Sequence, residues 1–333
     1  MNHVVIRDTL LNGWEYGMLR SFEKAIVQET GAALFELPSY AFVPKYIHHF
    51  QHGLKRGKYR KYFPKQELKL NADVAWSVLM APENYKLDLF KTWNTTCKTR
   101  LLYIYDTLPV QYDLIKRLFR NDTTWDYLIT SFNDAVDDLK KLTGRKWHCV
   151  EQAADADLFQ PVPLHERLIH FSSYGRRHPV MHEVLIDFCN ANGLYYDYTT
   201  HDARHPVADA TELYKQYAWH LCHSVFTLSW PVELTSPSRA GHLHPVTCRW
   251  FEAGAAGTIL LGEEPGNAIF DKWLDKDMVV KINPNNSRKD LYKSLENVWT
   301  NREFFFTNAR LSAQRNINRW TWNERVKQVL SLL

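Results

Sequence analysis

The most constraining feature of this 333-residue sequence is the repeated alternation of short apolar runs with stretches of helical period. Each apolar run is bounded by turn residues, and strands that alternate with helices predict right-handed βαβ units and a parallel sheet. The first half of the chain contains the clearest examples. Its predicted strands are 3–8, 32–38, 73–80, 100–106, 126–132 and 147–152, and its predicted helices include 14–29 and 132–143.

The alternation restarts after a proline-bearing stretch at 152–163, which we interpret as a linker. We therefore expect an α/β fold of two Rossmann-like domains whose parallel sheets face a central cleft, with ligands bound beyond the carboxyl ends of the strands. The expected domains are 1–160 and 161–315, and a C-terminal helix at 316–333 is expected to pack back on the first domain. In the second half, strands are predicted at 166–173, 193–200, 223–230 and 257–262, and a helix at 178–192.

Composition narrows the class of protein. Apolar residues make up 45% and charged residues 23% of the chain, as in folded soluble proteins. No run reaches the roughly 18 uncharged apolar residues of a membrane span, and segment 1–10 lacks the features of a secretory signal, so we expect a cytoplasmic protein. The cysteines are odd in number and include no C-x-x-C pair, which favours free thiols. They are Cys97, Cys149, Cys189, Cys222 and Cys248.

Positive charge is concentrated in the first half of the chain. Residues 1–150 carry 22 Lys+Arg and 16 Asp+Glu, a difference of +6, whereas the whole chain carries +4. Segment 45–69, called the basic segment below, carries eight Lys+Arg and one Glu among Tyr, Phe and His. It could dock on an anionic membrane surface, bind nucleic-acid phosphates or form a solvated loop, and the residues alone leave these three open.

The stretch RWFEAGAAGTILLG at 249–262 places Glu252 among bulky apolar residues and then continues with small ones. Small residues that open a helix let a ligand approach the backbone, and a helix N-terminus offers N–H groups to a phosphate. A neighbouring carboxylate suits a ribose diol. The alternative is a close helix–sheet contact beside a carboxylate satisfied by the protein, and the residues alone do not decide between the two.

The pattern R-x-F-E-A-x-A-x-G-T resembles the nucleotide-sugar-binding segment of group-1 glycosyltransferases with the GT-B fold, and the CgeB/YkvP-like branch is the most similar by pattern. The matching residues are Arg249, Phe251, Glu252, Ala253, Ala255, Gly257 and Thr258. Further segments resemble that family in the same order along the chain. They are 103–109, 125–144, 153–161, 170–179 and 308–330.

The resemblance implies an enzyme of the hexosyltransferase class. Such an enzyme moves a sugar from a nucleotide-diphosphate sugar, its co-substrate, to a hydroxyl of a glycan, lipid-linked or protein acceptor. The resemblance also implies retention of the anomeric configuration and no further cofactor. It assigns Glu252 to the donor ribose. The small residues that would line the donor site are Gly254, Ala255, Gly257 and Thr258.

Arginines supply the predicted phosphate contacts. Arg176 and Arg177 follow Gly175 after the first predicted strand of the second half. Guanidinium groups bind diphosphates well and stabilise a leaving diphosphate, although two surface arginines are the alternative. Arg249 is expected either to bind phosphate in the same way or to pair with Glu252.

The catalytic candidates lie where the chain departs from the family pattern. His244 stands where an acid is common in the family, and it could contact the sugar or a phosphate oxygen, or be a hydrogen-bonded loop histidine. Asp106 ends a predicted strand and could orient an acceptor hydroxyl or act as a base, with a turn residue as the alternative. Tyr105, in place of the family histidine, and Asn12–Gly13, in place of its Gly-Gly loop, are expected on the acceptor side.

No metal site is predicted. Asp155 and Asp157 form a D-x-D pattern within the linker, where a structural role is favoured, and His178 and His182 lack a third ligand.

Two other functions stay open: an inactive nucleotide- or glycan-binding protein, because of Tyr105 and His244, and a nucleic-acid-directed glycosyltransferase, because of the basic segment. Within an acceptor domain that segment favours a peripheral membrane contact at the inner face, or an anionic acceptor, over nucleic acid. The oligomeric state is not predicted.

Overall fold

The computed structural model describes residues 1–9, 11, 16–38, 65–199 and 209–333. Their contacts divide the chain into two compact units. The first contains the described residues of Met1–Asn12, Leu19–Glu151 and Val326–Leu333, and the second those of Gly13–Met18 and Gln152–Arg325. The domain boundaries expected at 160/161 and 315/316 stay predictions.

The first unit contains a six-stranded sheet in which every neighbouring pair is parallel. The spatial order is β2-β1-β4-β6-β7-β8, and a short parallel pair, β3 and β5, lies apart from it. The strands are β1 His3–Arg7, β2 Ala33–Glu36, β3 Gln66–Glu67, β4 Ala72–Leu79, β5 Phe90–Lys91, β6 Cys97–Ile104, β7 Tyr127–Thr130 and β8 Trp147–Cys149.

The second unit contains a five-stranded sheet, also parallel throughout, in the order β10-β9-β11-β12-β13. Its interior is aromatic, and the rings of Phe171 and Phe226 stack with centroids 5.1 Å apart across neighbouring strands. The strands are β9 Ile169–Ser173, β10 Tyr196–Tyr198, β11 Ser224–Ser229, β12 Ile259–Gly262 and β13 Val279–Lys281.

Helices connect the strands, as parallel pairing requires. In chain order they are α1 Gly17–Thr30, α2 Tyr112–Phe119, α3 Val136–Thr143, α4 Pro179–Asn192, α5 Ala210–Cys222, α6 Val232–Thr235, α7 Pro237–Ala240, α8 Cys248–Ala255, α9 Ala268–Trp273, α10 Arg288–Thr300, α11 Arg302–Asn316 and α12 Trp322–Leu330. None of the described helices is long and apolar enough to cross a lipid bilayer.

The predicted parallel α/β organisation is confirmed, because each predicted strand lies on an observed one and both main sheets are wholly parallel. Local signals explain the agreement. Strand β4 is buried on nearly its whole length, as expected for a central parallel strand covered on both faces. Helices α3 and α4 end at Gly144 and Gly193, whose φ angles of 69° and 63° are the left-handed conformation that favours glycine.

Candidate functional site

The carboxyl edge of the second sheet gathers polar side chains from neighbouring loops. Strands β9 and β11 are adjacent, so the loops that follow them are neighbours at this edge. The rings of His178 and Trp230, one from each loop, have centroids 6.1 Å apart. Asn267, from the loop after β12, donates its Nδ2–H to the carbonyl oxygen of His244 over 2.7 Å. These loops define the candidate site.

Gly175 and Arg249, which were singled out from separate segments, lie in direct contact. The Nη2 atom of Arg249 is 2.6 Å from the position that a Cβ on residue 175 would occupy. The φ of Gly175 is +82°, a conformation that also favours glycine, and its N–H donates to Thr199 Oγ1 over 3.0 Å. The glycine therefore lets a guanidinium group lie against the loop backbone.

Arg249 retains unused hydrogen-bonding capacity. Its Nε is buried without an acceptor among the described residues, and a buried unpaired donor costs about 1–3 kcal/mol. Among the described residues Arg249 and Glu252 form no salt bridge, but the Arg249 charge acts to lower the pKa of Glu252, so both expected roles of Arg249 stay predictions. The Arg249 side chain is half-buried, so its exposed part can meet an anion.

The two arginines of the β9 loop are half-buried. The Arg177 guanidinium lies over the ring of Tyr198, with Cζ 5.2 Å from the centroid, and its Nη1 is 3.4 Å from His182 Nε2. His182 in turn contacts the Tyr196 hydroxyl over 2.9 Å. Burial, with the nearby Arg177 charge, lowers the pKa of His182. Arg176 and Arg177 therefore give this loop positive charge, and Arg177 lies beside the aromatic ring of Tyr198.

Glu252 is 2% exposed, and both of its oxygens already have donors. Tyr214 Oη donates to Oε1 over 2.5 Å, and Tyr217 Oη donates to Oε2 over 2.9 Å. Burial raises the pKa of the Glu252 carboxyl, while the two tyrosine hydroxyls and the Arg249 charge act in the opposite direction. Two protein hydroxyls therefore stand where a ribose diol would donate, and a ribose contact requires that one of them move away.

The prediction that the small residues open a helix is wrong. Helix α8 begins at Cys248 and ends at Ala255, so Gly254, Ala255 and Gly257 lie at its C-terminal end. That end carries partial negative charge, which disfavours phosphate. The physical basis of the predicted donor contacts of these residues is therefore absent.

Close packing accounts for the small residues instead. A Cβ on Gly254 would lie 2.7 Å from Trp320 Cζ3 and 2.9 Å from Met278 Cε. Thr258 is fully buried, donates its hydroxyl to the Leu221 carbonyl oxygen over 2.8 Å and accepts from Arg167 over 2.7 Å. This is the structural alternative that the residues alone left open.

His244 is paired with a carboxylate that sequence reasoning missed. Its Nδ1 lies 2.8 Å from Glu233 Oε1, and the two side chains are 50% and 21% exposed. Glu233 Oε2 and the Nε1–H of Trp230 are buried without hydrogen-bond partners among the described residues. Both residues closely follow the apolar run of β11, so the rule that ligands bind beyond strand ends could have identified them.

In the first unit, Asp106 follows β6 and is half-buried, and its N–H donates to the Met80 carbonyl oxygen over 2.8 Å. Tyr105 is fully buried, and its ring packs edge-on against Tyr103 with centroids 5.3 Å apart. The prediction that Tyr105 faces an acceptor is wrong because its ring is enclosed by protein.

Some predicted features lie outside the described residues. They are Asn12, Gly13 and most of the basic segment, residues 45–64. Within the described ranges no group of three or more His, Cys, Asp or Glu is arranged to hold a metal ion. Asp155 of the D-x-D pattern accepts the N–H of Asp157 over 3.0 Å, a turn contact.

Comparison with solved structures identifies the fold. Over 99% of this chain and 97% of the other, the structure is similar to a glycosyltransferase from Rickettsia africae, with a TM-score of 0.53 and 12% identity. It is also similar to TarM, with a TM-score of 0.50 and 9% identity, over 84% of this chain and 57% of TarM. No protein-family model and no curated protein matches the sequence. The chain thus has the α/β fold of GT-B glycosyltransferases, with two Rossmann-like parallel-sheet units, and the CgeB/YkvP-like branch stays a prediction.

Proposed function

We propose that this chain is a glycosyltransferase that moves a sugar from a nucleotide-diphosphate sugar to an acceptor hydroxyl. One observation carries the proposal: the contact between Arg249 and the backbone at Gly175, beside Arg176 and Arg177, at the carboxyl edge of the second sheet. The similarity of the fold to that of a glycosyltransferase also supports the proposal.

The cationic edge suits the charge changes of this reaction. The bond from the anomeric carbon to the β-phosphate oxygen breaks, a new bond forms from that carbon to the acceptor oxygen, and the acceptor hydroxyl loses its proton. Negative charge therefore grows on the leaving diphosphate, where Arg249, Arg176 and Arg177 would neutralise it. Guanidinium groups can carry this charge without a metal ion, and full activity in the presence of EDTA would support that part of the proposal.

The acceptor and the stereochemical outcome form finer parts of the same proposal. Asp106 follows a strand of the first sheet, and it is our candidate for orienting or deprotonating the acceptor hydroxyl. Retention of configuration, implied by the family resemblance, is read directly from the anomeric proton of the product by NMR.

The test is calorimetry of the full chain with UDP, GDP, CDP and dTDP and their hexose conjugates. We expect one nucleoside diphosphate to bind. Arg249→Ala is expected to weaken its binding free energy by about 1.5–3 kcal/mol, the contribution of a hydrogen bond to a charged group. Arg288→Ala is the matched control, because it removes one positive charge from an exposed ion pair of the same unit. Failure of every nucleoside diphosphate and conjugate to bind the wild-type chain would refute the proposal.

A second candidate function, nucleotide binding without transfer, is favoured by His244, which stands where an acid is common in the resembled family and is paired with Glu233. Tight binding of a nucleotide sugar with neither transfer nor hydrolysis would select this candidate over the enzyme.

A further inference from the structure

A cavity of about 450 Å³ lies at the amino edge of the second sheet, the edge opposite to the candidate site. Strands β9 and β11 begin there, and the second residue of each strand, His170 and Val225, lines the cavity. The volume is within the range of roughly 300–1,000 Å³ that is typical of small-molecule sites. The proposed transfer of a sugar does not use this cavity.

Arg167 brings a buried positive charge to the wall of the cavity. The residue is 4% exposed, and no described carboxylate forms an ion pair with it. Burial lowers the pKa of its guanidinium to about 9, so the group is still charged at pH 7. A buried charge without a counter-ion is costly, and an anion in the cavity would lower that cost. The acceptors that Arg167 does have are uncharged: the carbonyl oxygens of Val162, Ser224 and Ala256 and the hydroxyl of Thr258.

Arg302 adds a second cation, and this one has unused donors. Its guanidinium lies over the indole of Trp299, with Cζ 4.5 Å from the ring centroid, and its Nη1 donates to the Trp299 carbonyl oxygen over 2.9 Å. Within the described residues this is the single hydrogen bond of the Arg302 side chain, and it makes no ion pair there. Its other N–H groups can therefore donate to a ligand.

His170 supplies a neutral donor. Its Nδ1 accepts the N–H of Tyr195 over 2.8 Å, so the proton of the neutral imidazole is on Nε2. Burial and the nearby Arg302 charge lower the pKa of His170, which keeps the ring neutral at pH 7. The cavity therefore combines two cations with a neutral N–H donor. Such a set favours a ligand that is rich in acceptor oxygens and negatively charged, as a phosphate group is.

The rest of the wall favours an organic phosphate over a bare ion. Leu164 and Val225 add apolar surface, which suits a carbon body. Glu303 is exposed, lines the same cavity and makes no ion pair within the described residues. Its carboxylate repels a bare phosphate, but it can accept a hydrogen bond from a hydroxyl.

We propose that this cavity is a second ligand site, separate from the donor edge, which binds a small phosphate monoester that also carries hydroxyl groups. Arg302 binds the phosphate, the charge of Arg167 stabilises it, and Glu303 accepts from a hydroxyl of the same molecule. The inference goes beyond the proposed function and does not depend on it, because the site lies at the opposite edge of the sheet.

Calorimetry of the full chain with ribose 5-phosphate, glycerol 3-phosphate, inorganic phosphate and ribose tests the site. We expect at least one monoester to bind more tightly than inorganic phosphate, and ribose not to bind. Arg302→Gln is expected to weaken the monoester about 10-fold to 100-fold, as for loss of a hydrogen bond to a charged group. Arg288→Gln is the matched control and is expected to change nothing, because Arg288 lies in an exposed ion pair of the same unit.

Glu303→Lys tests the site even where Arg302→Gln folds poorly, because it changes an exposed side chain. The added positive charge is expected to strengthen binding of inorganic phosphate by up to about 5-fold, as for an exposed ion pair. It is also expected to narrow the preference for the monoester over inorganic phosphate, since the acceptor for the hydroxyl is lost.

Arg249→Ala distinguishes this cavity from the donor edge. We expect it to weaken a nucleoside diphosphate and leave the monoester unchanged, whereas Arg302→Gln does the reverse. Weakening of the monoester by Arg249→Ala and not by Arg302→Gln would overturn the inference, because the phosphate would then lie at the donor edge. Failure of both monoesters to bind more tightly than inorganic phosphate, or no effect of Glu303→Lys, would also overturn it. None of these outcomes affects the proposed function, which is refuted only by its own nucleotide titrations.

Discussion

Among single residues, Glu252 shows how tertiary partners can compete with a ligand that a motif predicts. Its two donors, Tyr214 and Tyr217, lie three residues apart on α5, so they share one face of that helix and reach one oxygen each. Tyr214 is held tightly, because its Cβ lies 2.3 Å from the position that a Cβ on Gly17 would occupy. Tyr217 is only partly buried, so it is the donor that a ribose could displace.

Tyr217→Phe tests this competition. Removal of the hydroxyl leaves one buried carboxylate oxygen without its donor, so we expect the free energy of unfolding to fall by about 1–3 kcal/mol. We also expect nucleoside diphosphate affinity to rise, because the freed oxygen can accept from the ribose. Denaturant unfolding and calorimetry measure the two effects.

Tyr292→Phe is the control for Tyr217→Phe, because among the described residues the Tyr292 hydroxyl makes only a long hydrogen bond, 3.4 Å from Asn192 Nδ2, at the surface. Lower stability of Tyr217→Phe with unchanged nucleotide affinity would show that Glu252 is a structural carboxylate and not a ribose ligand.

Among the elements, α8 owes its run of small residues to what packs on it. Gly254 faces the Trp320 ring, and Gly257, with a φ of +61°, begins the turn that leads into β12. The helix can therefore approach the aromatic side chains closely at its C-terminal end. The end that can favour an anion is the opposite one, where Cys248 and Arg249 lie.

Gly254→Ala is expected to destabilise the protein by about 1–3 kcal/mol, since the added methyl overpacks the contact with Trp320 and Met278. Gly266→Ala is the matched control, because no atom of the described residues lies within 4 Å of a Cβ at residue 266. Chemical denaturation of both variants provides the comparison. Equal stability of the two would contradict the packing role of Gly254.

At the scale of the whole molecule, the two parallel sheets place loops with different chemistry on different units. The arginines and the Glu233–His244 pair belong to the second unit, and Asp106 belongs to the first. The fold is similar to that of a glycosyltransferase at only 12% identity, since the alternation of strands and helices depends on the pattern of apolar residues more than on their identity.

Hydrogen exchange of the full chain tests the proposal that the donor site lies in the second unit. A saturating nucleoside diphosphate is expected to slow exchange in the loops after β9 and β11 and at the start of α8, because binding stabilises the segments that it orders. The first sheet is expected to change less. Protection found only in the first unit would contradict the assignment of the donor site.

Local sequence signals were sufficient to single out part of the candidate site. Gly175, Arg176 and Arg177 were chosen because a loop after a predicted parallel strand is where ligands bind, and the structure brings Gly175 into contact with Arg249. Glu233 and Trp230 were missed because their hydrogen bonding depends on which loops lie side by side in the folded protein, and the local sequence does not show this.

The sequence by itself determined the two parallel sheets and the position of their loops, because apolar period and turn residues act over short distances along the chain. Only the tertiary structure decided that Glu252 is satisfied by tyrosines 35 and 38 residues away. It also decided that the small residues end α8, and that His244 is paired with Glu233. The physical reason is that a polar side chain takes its role from the groups that surround it after folding, and these come from distant parts of the chain.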